Sequence, residues 1–424
     1  MMSTVNNDLQ QQYEDSVDEW IFDSIKHGAK SFGELLMSLP SVYPAVALNS
    51  LRRLASSRRI GEQILTSIAG TVSQAAPTHT PRRPDPQQIQ LPVPHPLDYD
   101  WRFGDEAIGH LTDVCLGLTR PGDCVTLLGV PSVFQMAGVL ASSRQIVLID
   151  ANPTLAESLA ATVPADWIKH CDLLQDPLPQ IEAPVIILDS PWYEEHLTAF
   201  LWAASRLCAL NGQILVSLPP VGTRPGIEQE RTRLFDYAHK LGLIVTSFEL
   251  AALPYASPPF ELNALRAAGI FNFPKYWRRG DLAVFSKTQQ LEISRPGRAL
   301  VEDGVWSEEN IGAVRLRIRQ SDEINFADPT LISVVEGDVL PSVSRRDTRR
   351  VMADVWTAGN RIFACQGRNV LRWIIHAIAT NRAPEVEIIG HLGRNLIDDE
   401  AILVSQAAHQ ITKLSEQEQY EYQP

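Results

Sequence analysis

Apolar and polar positions follow two different periods along this chain. Short apolar runs closed by turn residues fall at Cys124–Gly129, Gln145–Asp150, Trp167–Cys171, Pro184–Leu188, Gln213–Leu218, Leu243–Phe248 and Leu282–Phe285. Runs of this length and closure predict strands buried on both faces. Most are separated by stretches with helical spacing, Phe134–Ala141, Leu155–Ala161, Leu197–Leu210 and Ile227–Leu241. The alternation predicts a mostly parallel sheet of seven strands with helices on both sides, an α/β fold.

The flanks carry other patterns. Trp20, Ile21 and Ile25 share a helical face, Ser31-Phe32-Gly33-Glu34 has the form of a capping box, and Pro44 suits the first turn of a third helix. That helix, Pro44 to Ser56, ends in Arg52 and Arg53; Arg58 and Arg59 then introduce what we expect to be a short extended pair, the wing of a winged helix-turn-helix. From Ala75 to Pro96 proline recurs every few residues, which favours an extended spacer. Beyond Lys287, Val314-Arg315-Leu316-Arg317-Ile318-Arg319 alternates strictly, so one strand face is apolar and the other carries three arginines, expected to be solvated. Arg345, Arg346, Arg349 and Arg350 open an expected helix running to Trp356. Leu371 to Ala379 and Ala401 to Leu414 are further expected helices, the second a contact for a homo-oligomer, before a polar, frayed tail. The expected units are therefore a winged helix-turn-helix at 1–74, a linker at 75–96, an α/β unit at 97–287 and an α+β accessory region at 288–424.

At 424 residues the chain exceeds the size at which single cores stop growing, in keeping with several units. No apolar run approaches the roughly 18 residues of a membrane span, and the start, Met1 to Gln12, is polar and acidic; a cytoplasmic protein without membrane partners is expected. The five cysteines form no CxxC pair, so buried free thiols are expected and no metal site. The net charge of −13 repels polyanions, which confines nucleic-acid binding to a local basic patch such as Arg52, Arg53, Arg58 and Arg59.

The candidate chemistry lies at the strand ends. In open α/β sheets ligands sit beyond the carboxyl ends of the strands, and the fourth run delivers Asp189-Ser190-Pro191-Trp192-Tyr193 to that point. The first run ends in Gly129-Val130-Pro131-Ser132, the second in Asp150 and the third before Asp172. An acid after the second strand suits the two hydroxyls of a ribose, and Asp172 can accept from an adenine amino group. An ordinary proline turn remains the alternative for Asp189–Trp192. Glu194, Glu195 and His196 serve either as acid/base groups or as charges on a first helical turn. The Pro- and Gly-rich loop Leu218–Gly226 is either a wall of the site, with Arg224 facing a carboxylate or phosphate, or plain surface.

The order Gly129, Asp150, Asp172, Asp189-x-Pro191-Trp192 resembles S-adenosylmethionine-dependent methyltransferases of class I that act on exocyclic amino groups, whose hallmark is an Asp/Asn/Ser-Pro-Pro-aromatic tetrad. Ser190 stands where that tetrad has its first proline. The resemblance implies that Gly129, Pro131, Ser132, Asp150 and Asp172 hold S-adenosylmethionine, while Asp189 and a Ser190 or Pro191 carbonyl orient an amine and Trp192 or Tyr193 stacks on it. The acceptor is then a small-molecule or nucleobase amine. The plan of a winged helix followed by such a sheet, with Cys171-Asp172-Leu173-Leu174-Gln175-Asp176-Pro177-Leu178-Pro179 and a later Asp-x-Pro, is also similar to branched-chain polyamine synthases. That similarity implies aminopropyl transfer from decarboxylated S-adenosylmethionine to a polyamine, although Val130-Pro131-Ser132 replaces the acids of that family's first loop. A non-catalytic nucleic-acid-binding or regulatory protein is the reading from another class.

Overall fold

The computed structural model describes residues 2–72, 89–135, 143–297, 304–323 and 325–422. Its centre is a mixed sheet of β1 (Arg102–Phe103), β2 (Cys124–Leu128), β3 (Gln145–Asp150), β4 (Ile168–His170), β5 (Ala183–Leu188), β6 (Cys208–Leu218), β7 (Leu243–Ala256) and β8 (Arg279–Lys287), in the order β1-β7-β8-β6-β5-β2-β3-β4. β2 to β6 pair in parallel, whereas β8 runs antiparallel to both β6 and β7. All seven expected strands are present. The eighth, β1, pairs only Arg102 with Ala256 and Phe103 with Tyr255, too short a segment to leave a periodic signal.

The inner strands β2, β5 and β8 are buried on both faces, the physical origin of their continuous apolar runs, whereas β7 is exposed from Ile244 to Leu250. On one side Val125, Leu127, Ile146, Leu148 and Val185 pack against Ala107 and Leu111 of the helix that follows the linker. On the other, Leu128, Ile149, Ile186 and Leu188 meet Leu197, Leu201 and Ala204 of a later helix. The helices of this unit are α5 (Asp105–Leu118), α6 (Pro131–Phe134), α7 (Pro153–Ala160), α8 (Glu194–Leu207), α9 (Ile227–Lys240) and α10 (Pro259–Ala267). The helix expected over Phe134–Ala141 falls mostly outside the described residues; α6 begins earlier, with Pro131 in its first turn.

The N-terminal unit is four helices, α1 (Met2–Lys26), α2 (Phe32–Ser38), α3 (Pro44–Ser56) and α4 (Glu62–Gly70). Ser31 caps α2 as expected, its hydroxyl accepting from the Glu34 N–H at 3.2 Å. The wing expected after Arg58 and Arg59 is replaced by α4, and no strand occurs among the described residues of this unit. The physical reason is the spacing of Leu65, Ile68 and Val72, which is helical and turns these side chains into the unit's core. That core also takes in Leu265, Ile270 and Trp277, so the helices sit directly on the sheet unit.

The C-terminal unit is an antiparallel sheet, β9 (Trp306–Ile311), β10 (Val314–Arg319), β11 (Ile332–Ser333), β12 (Val355–Thr357) and β13 (Ile362–Ala364), covered by α11 (Arg368–Ala379), α12 (Pro384–Leu392) and α13 (Asp398–Tyr422). Three expectations are corrected here. Arg345 to Trp356 is not a helix: a 3-10 turn at Thr348–Met352 leads into β12, where Trp356 is buried against Leu340 and Ile362. The apolar stripe Val404, Ala407, Ile411 and Leu414, expected at an oligomer contact, is buried inside this unit. The tail is helical to Tyr422 because Glu418, fully buried, accepts from Thr357, from the Gly359 N–H at 3.1 Å and from Arg361 at 3.2 Å.

The arginines of β10 are also not solvated. Asp98, at the end of the linker, binds Arg315 at 2.8 Å and also Arg317, and accepts from Asn152 Nδ2 at 2.9 Å in the loop after β3. Glu308 on β9 holds the same two arginines at 2.7 and 2.9 Å and accepts from Thr154 of α7 at 2.9 Å. Linker, accessory sheet and β3 loop are thus joined through buried charges. Among the described residues no helix is long and apolar enough to cross a membrane, and no cluster of His, Cys, Asp or Glu has the geometry to hold a metal.

Removing Asp98 leaves two buried guanidiniums short of a carboxylate, and breaking a buried pair in this way costs about 3–5 kcal/mol. Asp98→Ala is expected to lose stability of that order in urea unfolding, and a loss below about 1 kcal/mol would show that the accessory sheet docks without it.

Candidate functional site

A cavity of about 730 Å³ opens at the carboxyl ends of β2 to β6. It is walled by all three units: Tyr13 and Tyr43 from the N-terminal helices, the strand ends of the central sheet, and Arg317 and Ser342 to Arg346 from the accessory unit, Arg345 excepted.

Eight of the nine residues expected to form a catalytic and cofactor site line this one cavity: Gly129, Pro131, Asp150, Asp172, Asp189, Pro191, Trp192 and Tyr193. Ser132 does not. Its buried hydroxyl accepts from the Phe103 N–H at 3.3 Å, which fastens α6 to β1. Gly129 turns with φ +65°, and a Cβ there would stand 2.8 Å from the Asp189 carbonyl oxygen and 3.1 Å from Phe200. Only glycine lets the chain leave β2 while passing this close to the end of β5.

Asp150 ends β3 with one carboxylate oxygen accepting from the Asn152 N–H at 2.8 Å. Burial pushes its pKa up to about 7, against that hydrogen bond and with help from the nearby charges of Asp100 and Asp98. Asp172 forms an Asx turn, accepting from the Leu174 N–H at 2.9 Å, while its own N–H donates to Asp176 at 2.7 Å. Two backbone segments after β3 and β4 are thus shaped around acids that face the cavity.

Asp189 is more deeply constrained. The Tyr255 hydroxyl donates to Asp189 Oδ1 at 2.6 Å, and the Ser217 hydroxyl lies 2.5 Å from the Tyr255 oxygen, which leaves Ser217 as the donor to Tyr255. Burial pushes the Asp189 pKa up to about 8, despite these hydrogen bonds. Burial and the Asp189 charge keep the Tyr255 phenol well above its ordinary value, so it stays a neutral donor. Trp192 packs edge-on against Tyr255 with centroids 5.3 Å apart, and a Cβ on Gly280 would meet Ser217 at 2.9 Å. The relay is tightly enclosed.

Tyr193 faces other partners. Arg224 and Arg345 lie over its ring at 5.5 and 4.9 Å, and its hydroxyl accepts from the Arg345 N–H at 3.3 Å. Of the flanking acids, Glu194 pairs with Arg233 at 2.6 Å and Glu195 with Arg345 at 2.7 Å. The four arginines expected to meet phosphates lie away from the cavity. Arg53 binds Asp18 at 2.6 Å, Arg59 binds Glu19 at 2.8 Å, Arg52 donates to Asn49, and Arg58 is exposed.

Sequence patterns missed Ser217 and Tyr255, which lie inside apolar strands, and the cavity residues Asp98, Asp100 and Trp101, although Asp98-Tyr99-Asp100-Trp101 alternates acids with aromatics directly after the linker. Arg278 was also missed. It stacks on Trp101, Trp192 and Trp277 and pairs with the fully buried Glu261.

No family model matches the chain, and no curated protein matches it in sequence. Among solved structures it is similar to the branched-chain polyamine synthase of Thermus thermophilus. The C9 mutein of that protein, in complex with N4-aminopropylspermidine and 5'-methylthioadenosine, gives a TM-score of 0.52 at 13% identity over 70% of this chain and 95% of that one. The branched-chain polyamine synthase itself, in complex with the same two molecules, gives 0.50 at 13% identity over 68% and 94%. The N-methyltransferase NodS of Bradyrhizobium japonicum gives 0.30 at 11% identity over 43% and 86%. At these identities the likeness to the polyamine synthase structures is one of fold alone, a Rossmann-like sheet.

An aspartate in an unfolded chain titrates near about 3.9, so between about pH 4 and pH 8 the folded protein keeps a proton at Asp189 that the unfolded chain has lost. Stability contributed by this group is present at low pH and falls as pH rises through that window. Asp189→Asn removes the slope. By urea unfolding the variant is expected to match the parent near pH 4 and to exceed it at pH 8; a variant less stable at both pH values would sink the assignment.

Proposed function

We propose that the cavity is the active site of a transferase that uses S-adenosylmethionine to alkylate an amino nitrogen, with methyl transfer as the reaction. The observation that supports this best is the enclosure in one cavity of Asp150 and Asp172, after β3 and β4, together with Asp189, which is held by Tyr255 and Ser217 at the end of β5. The donor-side residues fit a nucleoside. Gly129 admits close approach of the backbone, Asp150 presents a carboxylate at the strand end where ribose hydroxyls bind in Rossmann-like sheets, and Asp172 offers an acceptor to an adenine amino group. When bound, S-adenosylmethionine would supply an electrophilic carbon on a sulfonium.

The chain's own residues align the amine. Asp189 accepts one amine hydrogen and, once ionised, takes the proton released as nitrogen becomes bonded to carbon. Tyr255 holds the carboxylate oxygen in place, and Trp192, itself fixed against Tyr255, walls the acceptor side. Exclusion of water by walls from three units strengthens each of these interactions. Displacement at carbon needs alignment above all, and a rigid relay supplies it.

A second reading is aminopropyl transfer to a polyamine, favoured by the extent of the likeness to a synthase whose complex holds N4-aminopropylspermidine and 5'-methylthioadenosine. Against it stand the guanidiniums of Arg224 and Arg346 in the cavity wall, which share the single carboxylate of Glu230 and disfavour a polycation beside them. The nucleic-acid reading draws on Arg52, Arg53, Arg58 and Arg59, two of which are already engaged by acids of α1.

Calorimetric titration with S-adenosylmethionine and with its decarboxylated form tests the proposal. We expect micromolar binding of the first; heat from the second alone transfers the assignment to aminopropyl transfer, and none from either overturns both. In turnover assays kcat/KM is expected to rise with pH and level off above about 8, as Asp189 ionises. Asp189→Ala is expected to lower kcat by about 10²–10⁴-fold with donor affinity little changed.

A further inference from the structure

Around Tyr193 the cavity wall changes character. Arg224, from the Pro- and Gly-rich loop after β6, has a side chain only 12% exposed, with its Nε–H buried and lacking a hydrogen-bond partner. Its Nη2 pairs with Glu230 of α9. Arg346, from the accessory unit, reaches the other oxygen of the same carboxylate at 3.9 Å and remains 57% exposed toward the cavity mouth. Two guanidiniums therefore share one carboxylate. Burial, and to a smaller degree the charge of Arg346, holds Arg224 below its ordinary value, although Glu230 acts in the opposite sense. Arg345 adds no surplus, since Glu195 neutralises it at 2.7 Å.

Beside the two guanidiniums stand Ser342 and Ser344, both in the cavity wall. The hydroxyl oxygen of Ser342 accepts from the Ser344 N–H at 3.1 Å, and that of Ser344 accepts from the Arg346 N–H at 3.2 Å. Each hydroxyl keeps a hydrogen to donate. Two guanidiniums and two hydroxyls in one cavity wall form a donor set suited to a compact oxyanion.

We infer that the amine acceptor carries a phosphate or carboxylate, held by Arg224 and Arg346 with Ser342 and Ser344 in the wall of the cavity. This inference rests on the transferase reading for the word acceptor, but the anion site is defined by its own residues. It makes Arg224 and Arg346 determinants of specificity, which select an anionic amine over a polyamine.

Inorganic phosphate, O-phosphoethanolamine and spermidine are the probes, each titrated into the full chain with the thermal midpoint and the calorimetric heat as readouts. Phosphate and O-phosphoethanolamine are expected to raise the midpoint and spermidine to leave it unchanged. Arg346→Gln, at a largely exposed position that does not threaten folding, is expected to weaken phosphate binding by about tenfold, and Arg224→Gln by more. Arg52→Gln on α3 is expected to leave it unchanged. The inference is overturned if spermidine stabilises the chain and phosphate does not, if phosphate binding survives Arg346→Gln and Arg224→Gln, or if it is lost in Arg52→Gln, which would place the anion on the N-terminal helices. Donor titrations separate the two conclusions: phosphate binding without binding of S-adenosylmethionine or its decarboxylated form would end the transferase reading and keep the anion site, and the reverse would do the opposite.

Discussion

The cavity exists because charge is buried where three units meet. Asp98 carries most of this duty, with Arg315 and Arg317 on one side and Asn152 on the other. A carboxylate taken out of water is tolerated only when its oxygens are satisfied, and here the partners belong to the accessory sheet and to the loop that presents Asp150. Satisfying Asp98 therefore fixes the accessory unit against the part of the cavity wall that holds Asp150. Glu308, bridging the same arginines to Thr154 of α7, repeats the constraint from the other sheet.

The same burial sets the protonation of the site. Asp150 and Asp189 both lie where water is largely excluded, and both are pushed toward or beyond neutrality. The consequence differs with their partners. Asp150 accepts from a backbone N–H, suited to presenting an acceptor to a bound hydroxyl, whereas Asp189 hangs on a neutral phenol that is itself pinned by Ser217. A carboxyl group poised near working pH can exchange its proton, which a surface aspartate near pH 4 does far less readily. The cost is borne as lost stability above the unfolded pKa, a pattern common where function needs a strained charge.

Much of this was legible along the chain. The inner strands were visible because they are buried on both faces and so have no polar alternation to confuse them; β7, exposed from Ile244 to Leu250, showed itself by its apolar and β-branched run alone. The strand-end residues Gly129, Asp150, Asp172 and Asp189 followed, since the carboxyl ends of parallel strands point to one side by topology alone. Other features were hidden for physical reasons. Helix α4 was mistaken for a wing because the short segment after Arg59 offers few turns of periodicity. The β10 arginines looked solvated because alternation identifies a face but not what covers it; the cover is Asp98, some 220 residues away in sequence. The last turns of α13 were hidden because Glu418 and Glu421 dock by ion pairs with Arg361 in place of apolar contacts.

The sequence by itself determined the central sheet, the edge of that sheet where the cavity opens and the acids along it, since strand period and strand termini are local properties. Only the tertiary structure decided which of those acids lose their solvent, which hydroxyls hold Asp189, and which arginines stand opposite. Tyr255 and Ser217 approach Asp189 from strands far apart in the chain, and Arg224 and Arg346 converge on Glu230 from two units. Desolvation and charge pairing belong to the packed neighbourhood and not to the residue, so no pattern along the chain encodes them.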